Sequence, residues 1–578
     1  MSTNISKKKR DDLLDKIKQI RAFIAAAPQD ENTGNLLSYL SDLEKDVNGK
    51  KYGLVFEEHR EEIDEVLDTH TPVLTEDKDL FIDNGGQMNF LIEGDNLASL
   101  KLLEKTHKGK IDLIYIDPPY NTGNKDFIYD DSFIDKNDLF SHSKWLSFIK
   151  HRLLIARNLL TKRGAIFISI DDNEQSPLKV LCDEIFGAEN FVTCLVWAAG
   201  RKNDSKYISV SHEYMLCYVK SMEYLKTNKI VWKQRKQGID DIYKEYEQLK
   251  KKYGSDYREM SSALKQWYKN LPENHPARNH SHYNFIDETG IYFPSDISWP
   301  GGGGPKYEVL HPITHKPVRV PNRGWVYPTK ERMQEIISQK LVHFGDDETS
   351  VPCKKTYLKD NEMSTPYSVF YKDGRAATKR LRTIMGENVF QNPKDEEILE
   401  SIIEFAALYN STILDFFAGS GTTGHAVMKL NAEDGGNRKF ILCTNNENGI
   451  CRDVTYERIR RVIDKENYAA SLKYYKVDYV PISDRMYYEY ADELLRHIRE
   501  LVELENGINF TGNEEIAIVL TEDELAAFIA DKDRFAKCRR LYMGHDLLPD
   551  EAQETALFKN KIEISIIPDY YYRDLQEG

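Results

Sequence analysis

The chain has 578 residues, 40% of them hydrophobic and 30% charged, a composition typical of a folded globular protein and not of a disordered one. No apolar run approaches the ~18 residues of a membrane span, and the N-terminus lacks the apolar core of a secretory signal. Seven cysteines without a Cys-x-x-Cys pair fit a reducing compartment and offer no zinc site. We therefore expect a cytoplasmic protein of roughly three or four domains, with no metal and no membrane partner.

The net charge of −15 argues against a nucleic-acid partner, but the charge is unevenly distributed. Residues 201–385 carry 32 lysines and arginines against 22 aspartates and glutamates, an excess of +10, so the remainder carries −25. A basic segment within an acidic chain is typical of one DNA-facing region. It is equally typical of an ordinary solvated surface, and charge alone leaves both interpretations open.

The apolar spacing of residues 7–27 and 34–48 predicts two helices, which serve internal packing or a dimer contact. Residues 55–70 predict a further, exposed acidic helix. Residues 88–100 have the pattern of a strand, a turn and a helix, with Asp95 at the turn. Asp95 is either the N-cap of that helix or a ligand for a nucleoside at the end of the strand, and by itself the cap is favoured.

Residues 111–116 form a short, β-branched apolar run, typical of a strand buried on both faces of a sheet. Pro118 and Pro119 end that strand because neither can donate a backbone hydrogen bond. Asp117, the Pro118 carbonyl and the Tyr120 ring then follow one another closely. They offer an acceptor for each N–H of a planar aromatic amine and a ring to stack on it. The alternative is an ordinary turn, in which Asp117 has only a local role.

A polar loop at 121–142 comes next, of a length that is usually functional or mobile. It precedes a helix at 143–160, a strand at 165–170, a helix near 177–186 and a strand at 191–197. Strands that alternate with helices predict an α/β fold with a doubly wound, Rossmann-like and mostly parallel sheet.

The alternation stops near residue 200. Residues 200–385 are rich in aromatic, basic, glycine and proline residues, and predict an inserted domain with irregular turns. The four glycines at 301–304 resemble a phosphate loop, but no helix start follows them, so we discount that interpretation.

The alternation returns with a helix at 395–408 and a strand near 412–415. The segment from Gly419 to Gly424 follows the strand and satisfies G-x-G-x-x-G. Its first two glycines allow the backbone to approach a ligand closely, and the helix that begins near Thr422 favours an anionic group. A dinucleotide site is therefore one interpretation.

A second strand at 439–444 ends in Asn445-Asn446-Glu447, at the place where polar groups meet ribose hydroxyls in such sheets. A helix at 453–465 closes this unit, and a strand at 473–480 and a helix at 484–504 follow. From residue 510 the sequence predicts a small α+β appendage with no catalytic constellation of its own; its elements are a strand at 516–520, a helix at 522–530 and strands at 539–543 and 561–567. Five regions are thus predicted: a helical region (1–70), the two halves of the sheet (71–199 and 386–480), the insert (200–385) and a C-terminal α+β domain (481–578).

Together these motifs resemble those of the DNA amino-methyltransferases of the β group, and within it the modification subunit of type III restriction–modification systems. The matching stretches are LIEGDNL (91–97), IDPPYNTG (116–123), SHEYMLCY (211–218), FQNPK (390–394), LDFFAGSGTTGHAV (414–427) and KFILCTNNEN (439–448). The resemblance covers residues 50–480. Phe416 departs from it, since many relatives carry proline there.

The resemblance implies S-adenosyl-L-methionine as the cofactor. Asp95 would accept a hydrogen bond from the adenine amine of the cofactor. The glycine segment would bind its amino-acid tail, with Asp415 and Lys394 nearby, and the end of the second strand would contact its ribose. The cofactor-binding residues implied are Asp95, Lys394, Asp415, Phe417, Ala418, Gly419, Ser420, Gly421, Thr422, Asn445 and Glu447.

The resemblance also implies methyl transfer to N6 of a flipped-out adenine in double-stranded DNA, with Asp117, Pro118, Pro119 and Tyr120 as the catalytic residues. Bonds from the amine to Asp117 and the Pro118 carbonyl would localise electron density on the nitrogen, and no covalent enzyme intermediate is needed. An Asp at the head of the motif favours adenine, whereas relatives acting on cytosine N4 more often carry Ser. Residues 200–385 would then read the DNA sequence.

The resemblance by itself also implies a homodimer. Because the chain has no helicase or nuclease motif, cleavage of DNA would need a separate ATP-dependent restriction subunit, a helicase–nuclease. A solitary adenine methyltransferase is the main alternative. N4-cytosine specificity, an NAD-dependent oxidoreductase and a non-catalytic DNA-binding subunit are the others.

Overall fold

A computed structural model describes residues 5–26, 33–48, 56–123, 128–129, 132–133, 140–198, 206–273, 275–482, 496–510, 513–544 and 547–567. The chain forms two compact units, the first comprising residues 1–224, 369–396 and 408–578 and the second 225–368 and 397–407. No helix within the described ranges is both long and apolar enough to cross a membrane.

The strands are β1 (His70–Glu76), β2 (Gln87–Glu93), β3 (Ile111–Ile116), β4 (Ile128–Tyr129), β5 (Ser132–Phe133), β6 (Leu160–Ile170), β7 (Phe191–Ala198), β8 (His212–Val219), β9 (Gln234–Arg235), β10 (Phe285–Asp287), β11 (Gly290–Ser295), β12 (Val342–His343), β13 (Cys353–Tyr357), β14 (Met363–Ser364), β15 (Val369–Tyr371), β16 (Thr412–Asp415), β17 (Lys439–Thr444), β18 (Ala470–Pro481), β19 (Ile516–Val519), β20 (Arg540–Met543) and β21 (Glu563–Ile566).

The helices are α1 (Ile5–Ala26), α2 (Thr33–Asn48), α3 (Glu62–Thr69), α4 (Asn96–His107), α5 (Ser141–Leu159), α6 (Gln175–Cys182), α7 (Met222–Thr227), α8 (Ile239–Tyr253), α9 (Tyr257–Asn270), α10 (Lys330–Ser338), α11 (Gly374–Met385), α12 (Glu396–Ala406), α13 (Thr422–Asp434), α14 (Glu457–Glu466), α15 (Ile498–Asn506), α16 (Glu522–Ala530), α17 (Lys532–Lys537) and α18 (Glu551–Lys559).

The first unit is built on a ten-stranded sheet of order β1-β18-β2-β17-β16-β3-β6-β8-β7-β15. The six strands from β18 to β6 are mutually parallel, which confirms the predicted mostly parallel, doubly wound sheet. Its centre is fully buried: Ile111, Leu113, Ile114 and Ile116 of β3 have no exposed surface. A continuous apolar strand such as β3 suits this position because helices cover both faces of a parallel sheet.

The sheet extends into the region predicted as an insert. β8 pairs antiparallel with both β6 and β7, and β15 pairs parallel with β7, so both strands belong to the first unit, whereas the insert was predicted at 200–385. The second unit begins only at Leu225. Strand–helix alternation could not reveal this because β8 inserts antiparallel, without a crossover helix before it.

The second unit contains a four-stranded antiparallel sheet of order β10-β11-β13-β12 and two amphipathic helices. α8 buries Ile239, Ile242 and Leu249, and α9 buries Met260 and Leu264 against them. The irregular turns predicted in this region lie at 299–305 and 321–325, outside both helices, and α8 and α9 themselves were not predicted. The aromatic and basic composition concealed a helical period that the apolar residues carry.

The C-terminal part has three parallel strands, β19-β20-β21, joined by α16 and α17 and then by α18. This is an α/β arrangement, where α+β was predicted, since α18 was not anticipated. The helix predicted at 484–504 and the loop predicted at 121–142 lie partly outside the described residues.

A buried ammonium group joins the edge of the sheet to α15. Nζ of Lys473 on β18 lies 2.6 Å from Oε2 of Glu503 and 3.0 Å from Oε1 of Glu76. Tyr475 donates its hydroxyl to the same Glu503 oxygen at 3.0 Å. The side chains of Lys473 and Glu503 are 1% and 0% exposed, so each charge depends on the other for compensation.

We expect Lys473→Met to lower the free energy of unfolding by about 3 kcal/mol, because the buried Glu503 carboxylate then loses its buried counter-ion and keeps only the exposed Arg499, 3.8 Å away. The double variant Lys473→Met/Glu503→Gln removes both charges and should recover most of that loss. Urea denaturation followed by circular dichroism measures both. A single variant as stable as the wild type would contradict this assignment.

Candidate active site

The carboxyl ends of β2, β17, β16 and β3 lie side by side at one edge of the sheet. β3 and β16 pair directly, Leu113 opposite Ile413 and Ile114 opposite Leu414. From this pair the chain leaves in opposite directions, from β3 through α5 to β6 and from β16 through α13 to β17. Such a switch point is where open α/β sheets bind ligands. The structure thus brings the Asp117 segment and the glycine segment together.

The residues after β3 form a fixed corner. The strand ends at Ile116, directly before Asp117 and the two prolines. The Tyr120 hydroxyl donates to Oδ1 of Asp117 at 2.8 Å, and the indole N–H of Trp145 donates to the Pro119 carbonyl at 2.7 Å. The carboxylate, the prolines and the phenol are therefore held in one arrangement before any ligand binds.

Lys394 enters this corner from the distant FQNPK segment. Its Nζ lies 3.3 Å from Oδ1 of Asp117 and also contacts the Tyr120 hydroxyl and Oε2 of Glu213. The rings of Tyr120 and Trp197 flank the ammonium, with centroids 4.9 and 5.5 Å from Nζ. Lys394 was expected beside the glycine segment; the contacts that the structure shows are with the Asp117 corner.

The charged groups of the Asp117 corner shift one another's pKa values. Burial raises the pKa of Asp117, an effect that the Lys394 ammonium opposes and the Glu213 carboxylate reinforces. Burial disfavours charge on Lys394, yet the carboxylates of Asp117 and Glu213 raise its pKa overall. Burial also raises the pKa of Tyr120 well above its ordinary value. The phenol and the ammonium therefore stay protonated and donate to the two carboxylates.

The glycine segment forms a tight turn that leads into α13. Gly419 and Gly421 have φ values of +51° and +74°, in the left-handed region that favours glycine. Asp415 closes the turn internally, because Oδ1 accepts from the Phe417 N–H at 3.0 Å and Oδ2 accepts the Thr423 hydroxyl. Gly424 is needed for packing, since a Cβ there would lie 2.8 Å from Ile459 Cδ1.

A buried arginine supports this turn from beneath. Arg458 on α14 is 1% exposed and donates to the Ser420 carbonyl at 3.2 Å, to its hydroxyl at 3.0 Å and to the Thr422 hydroxyl at 2.9 Å. Burial lowers the pKa of Arg458 to about 10. Sequence analysis missed Arg458 because it lies on a later helix, outside every motif.

Asp95 is the N-cap of α4, which is the interpretation that the local sequence pattern favoured. Its Oδ1 accepts from the N–H groups of Leu97 and Ala98 at 2.7 and 3.2 Å, and its Oδ2 lies 3.6 Å from a guanidinium nitrogen of the buried Arg152. The neighbouring Gly94 N–H donates to the Thr444 carbonyl at 3.0 Å, which places Asp95 beside the end of β17.

The side chains after β17 are exposed. Asn445 donates to Oε1 of Glu447 at 2.8 Å, so these two polar groups form a pair at the same edge of the sheet as Asp95 and the glycine turn. Their predicted contact with ribose stays a prediction, as does the role of Asp95 as an acceptor for an adenine amine.

Comparison with known proteins agrees with this geometry. The profile of the DNA methylase family matches residues 111–456. The chain belongs to the DNA methylase family. That match contains both the Asp117 corner and the glycine turn, the two places that the switch point joins.

Individual relatives of this DNA methylase include Mod subunits of type III restriction–modification enzymes. The chain is 37% identical to the EcoP15I Mod subunit of Escherichia coli, over 62% of this chain and 58% of the relative. It is 34% identical to the StyLTI Mod subunit of Salmonella typhimurium, over 66% and 58%. The chain thus spans little more than half the length of these relatives.

A third relative is the type II methyltransferase M.KpnI of Klebsiella pneumoniae, 34% identical over 61% of this chain and 79% of the relative. Among solved structures, the M1.HpyAVI complex with SAM aligns with 64% of this chain and 98% of that chain, at 14% identity and a TM-score of 0.29.

Asp415 generates a prediction about stability. Burial raises its pKa to about 7, whereas an unfolded aspartate titrates near 3.9. Between about pH 4 and pH 7 the folded state therefore holds a proton that the unfolded state has lost, and stability falls as the pH rises through this window. We expect Asp415→Asn to remove this slope and to gain stability relative to the wild type above pH 7.

The exposed Asp478 on β18 offers a matched control, because Asp478→Asn should leave the slope unchanged. Melting temperatures recorded from pH 4 to pH 8 on the three proteins provide the measurement. Parallel curves for the wild type and Asp415→Asn would show that the carboxyl is ionised in the folded state throughout.

Proposed function

We propose that this DNA methylase transfers a methyl group from S-adenosyl-L-methionine to N6 of an adenine in double-stranded DNA, as the modification subunit of a type III restriction–modification system. The observation that carries the proposal is the position of the Asp117 corner next to the glycine turn, across the switch point of the sheet. A methyl donor on one side and an aromatic amine on the other would meet there. Membership in the DNA methylase family supports the same chemistry.

The residues around the glycine turn fit such a cofactor, a nucleoside with a zwitterionic tail and no phosphate. The N-terminus of α13 suits the carboxylate of the tail, and the two glycines keep side chains away from it; a Cβ on Gly419 would lie 3.4 Å from the Phe390 ring. Asn445 and Glu447 offer polar groups for ribose hydroxyls. When bound, the cofactor supplies a sulfonium methyl group, an electrophile that requires no nucleophile from the enzyme.

The Asp117 corner would activate the amine. The lone pair of an exocyclic amino group is delocalised into the ring, so hydrogen bonds from its N–H groups to Asp117 and the Pro118 carbonyl localise electron density on the nitrogen. Methyl transfer also releases a proton from that nitrogen, and a carboxyl whose pKa is raised is suited to receive it. Positioning and electrostatics supply the acceleration.

A base within a duplex cannot reach this corner, so we propose that the adenine is flipped out and stacks on Tyr120. The aspartate at the head of the Asp-Pro-Pro-Tyr motif favours adenine over cytosine N4. The second unit, at the centre of the basic region of the chain, would read the DNA sequence.

The type III assignment rests on the Mod subunits among the relatives. It implies a homodimer in the cytoplasm and a separate ATP-dependent helicase–nuclease as partner. M.KpnI, a type II methyltransferase, supports the second candidate, a solitary adenine methyltransferase that has no restriction partner.

We expect the purified protein with S-adenosyl-L-methionine to place N6-methyladenine at one recognition sequence, and long-read sequencing that detects modified bases reports base and sequence together. Asp117→Ala should lower the methylation rate by about 10²–10³-fold or more, because the amine loses its charged acceptor. Asp478→Ala, an exposed site on the same sheet, is the control. Calorimetric binding of NAD and not of S-adenosyl-L-methionine would refute the proposal, as would full activity of Asp117→Ala.

The type III role predicts that the protein purified from its native host under mild conditions carries a large helicase–nuclease chain, and that the complex cleaves unmethylated DNA only with ATP. Site-specific methylation without any such partner would support the solitary methyltransferase. Size measurement by light scattering on the same sample tests the homodimer.

A further inference from the structure

We propose that Glu213 is a positioning residue for methyl transfer, holding the Lys394 ammonium so that Asp117 stays available to the target amine. This inference rests on the proposed function and deepens it. Glu213 lies outside the Asp-Pro-Pro-Tyr motif and the glycine segment, and the SHEYMLCY stretch that contains it was assigned no role in the chemistry.

The strand order explains how Glu213 reaches the site. β8 runs antiparallel to β6, with Tyr214 opposite Ile170, the last residue of β6. The first residues of β8 therefore lie at the edge where the parallel strands end. On its other side Glu213 is opposite Trp197 of β7, the residue whose ring flanks Lys394.

Lys394 is shared between two carboxylates. Its side chain is 11% exposed, and those of Asp117 and Glu213 are 28% and 32% exposed. An ammonium that is nearly buried requires compensating charge. Asp117 and Glu213 supply it, and the Tyr120 hydroxyl, 2.8 Å from Asp117 and 3.2 Å from Glu213, links the two.

The second contact of Lys394, with Glu213, matters because Lys394 and the target amine would both donate to Asp117. With Glu213 present, the ammonium has a second carboxylate and can remain in place while the amine approaches Asp117. Without Glu213, Asp117 is the carboxylate left within ion-pair distance among the described residues, and Lys394 competes with the amine for it. Glu213 thus acts on the reaction through Lys394.

The first test compares Glu213→Ala, Glu213→Gln and the wild type in steady-state methylation of a duplex containing the recognition sequence. We expect Glu213→Ala to lower kcat by about 10- to 100-fold. Glu213→Gln should fall between Glu213→Ala and the wild type, because its amide oxygen still accepts from Lys394 and Tyr120 but supplies no compensating charge. Glu223→Gln, an exposed glutamate just beyond β8, is the matched control and should equal the wild type.

The second test is the pH dependence of kcat/KM, which a merely structural role would not move. The groups that act on Asp117 are Lys394, Glu213 and the Tyr120 hydroxyl, while the Tyr115 hydroxyl and Asp415 in turn experience its charge. Removing the negative charge with Glu213→Gln should move the acidic limb to lower pH, and removing the positive charge with Lys394→Met should move it to higher pH. Shifts in the same direction, or no shift, would overturn the inference.

The third test is a double-mutant cycle on kcat at a pH above the acidic limb, because the part of the Glu213 effect that holds Lys394 in place should disappear when Lys394 is absent. Lys394→Met/Glu213→Ala should be no slower than Lys394→Met alone. Effects that multiply would overturn the inference, as would a Glu213→Ala enzyme with the wild-type rate and melting temperature. A wild type that does not methylate DNA would instead refute the proposed function itself.

Discussion

The pairing of β3 with β16 is the constraint on which the site depends. Leu113 faces Ile413 across this pair, so segments three hundred residues apart in the chain become neighbours through backbone hydrogen bonds. Because the two following crossovers leave in opposite directions, the Asp117 corner and the glycine turn lie at a switch point, where open α/β sheets have their ligand-binding crevice. The Asp117 corner continues directly from β3, and the glycine turn continues directly from β16, and both strands are buried. Pre-organised positioning of this kind is what group transfer between two bound molecules requires.

One cation lies at each of the two segments, the fully buried Arg458 at the glycine turn and the nearly buried Lys394 at the Asp117 corner, and they differ in their hydrogen-bond partners. Arg458 beneath the glycine turn donates to a carbonyl and to hydroxyl groups, with the Glu396 carboxylate 3.9 Å away, so its hydrogen bonds shape the backbone that a ligand would approach. Lys394 in the Asp117 corner contacts carboxylates and a phenol, and its charge lowers the affinity of Asp117 for a proton. The hydrogen bonds of Arg458 have a structural role. The contacts of Lys394 can change when a ligand binds, because Lys394 can pair with either Asp117 or Glu213.

The family match and the chemistry coincide within one part of the chain. Residues 111–456 contain the corner, the glycine turn, β8 and Lys394, so every group that the proposed reaction needs lies within the matched region apart from Asp95. The Mod relatives extend well beyond the aligned part, and the choice between a restriction-linked and a solitary methyltransferase depends on those additional regions and on partners, not on the geometry of the crevice.

The sequence alone determined the central strands, the corner after β3 and the glycine turn before α13, because apolar runs, proline and glycine act through local backbone chemistry. It also predicted the parallel sheet, since alternating strands and helices leave few other arrangements. It did not reveal β8 as an inner antiparallel strand, the helices of the second unit, or the meeting of Lys394 with Glu213 and Asp117. Those depend on which strands become neighbours and on which buried charges then need one another, and both are decided by tertiary packing between residues far apart in the chain.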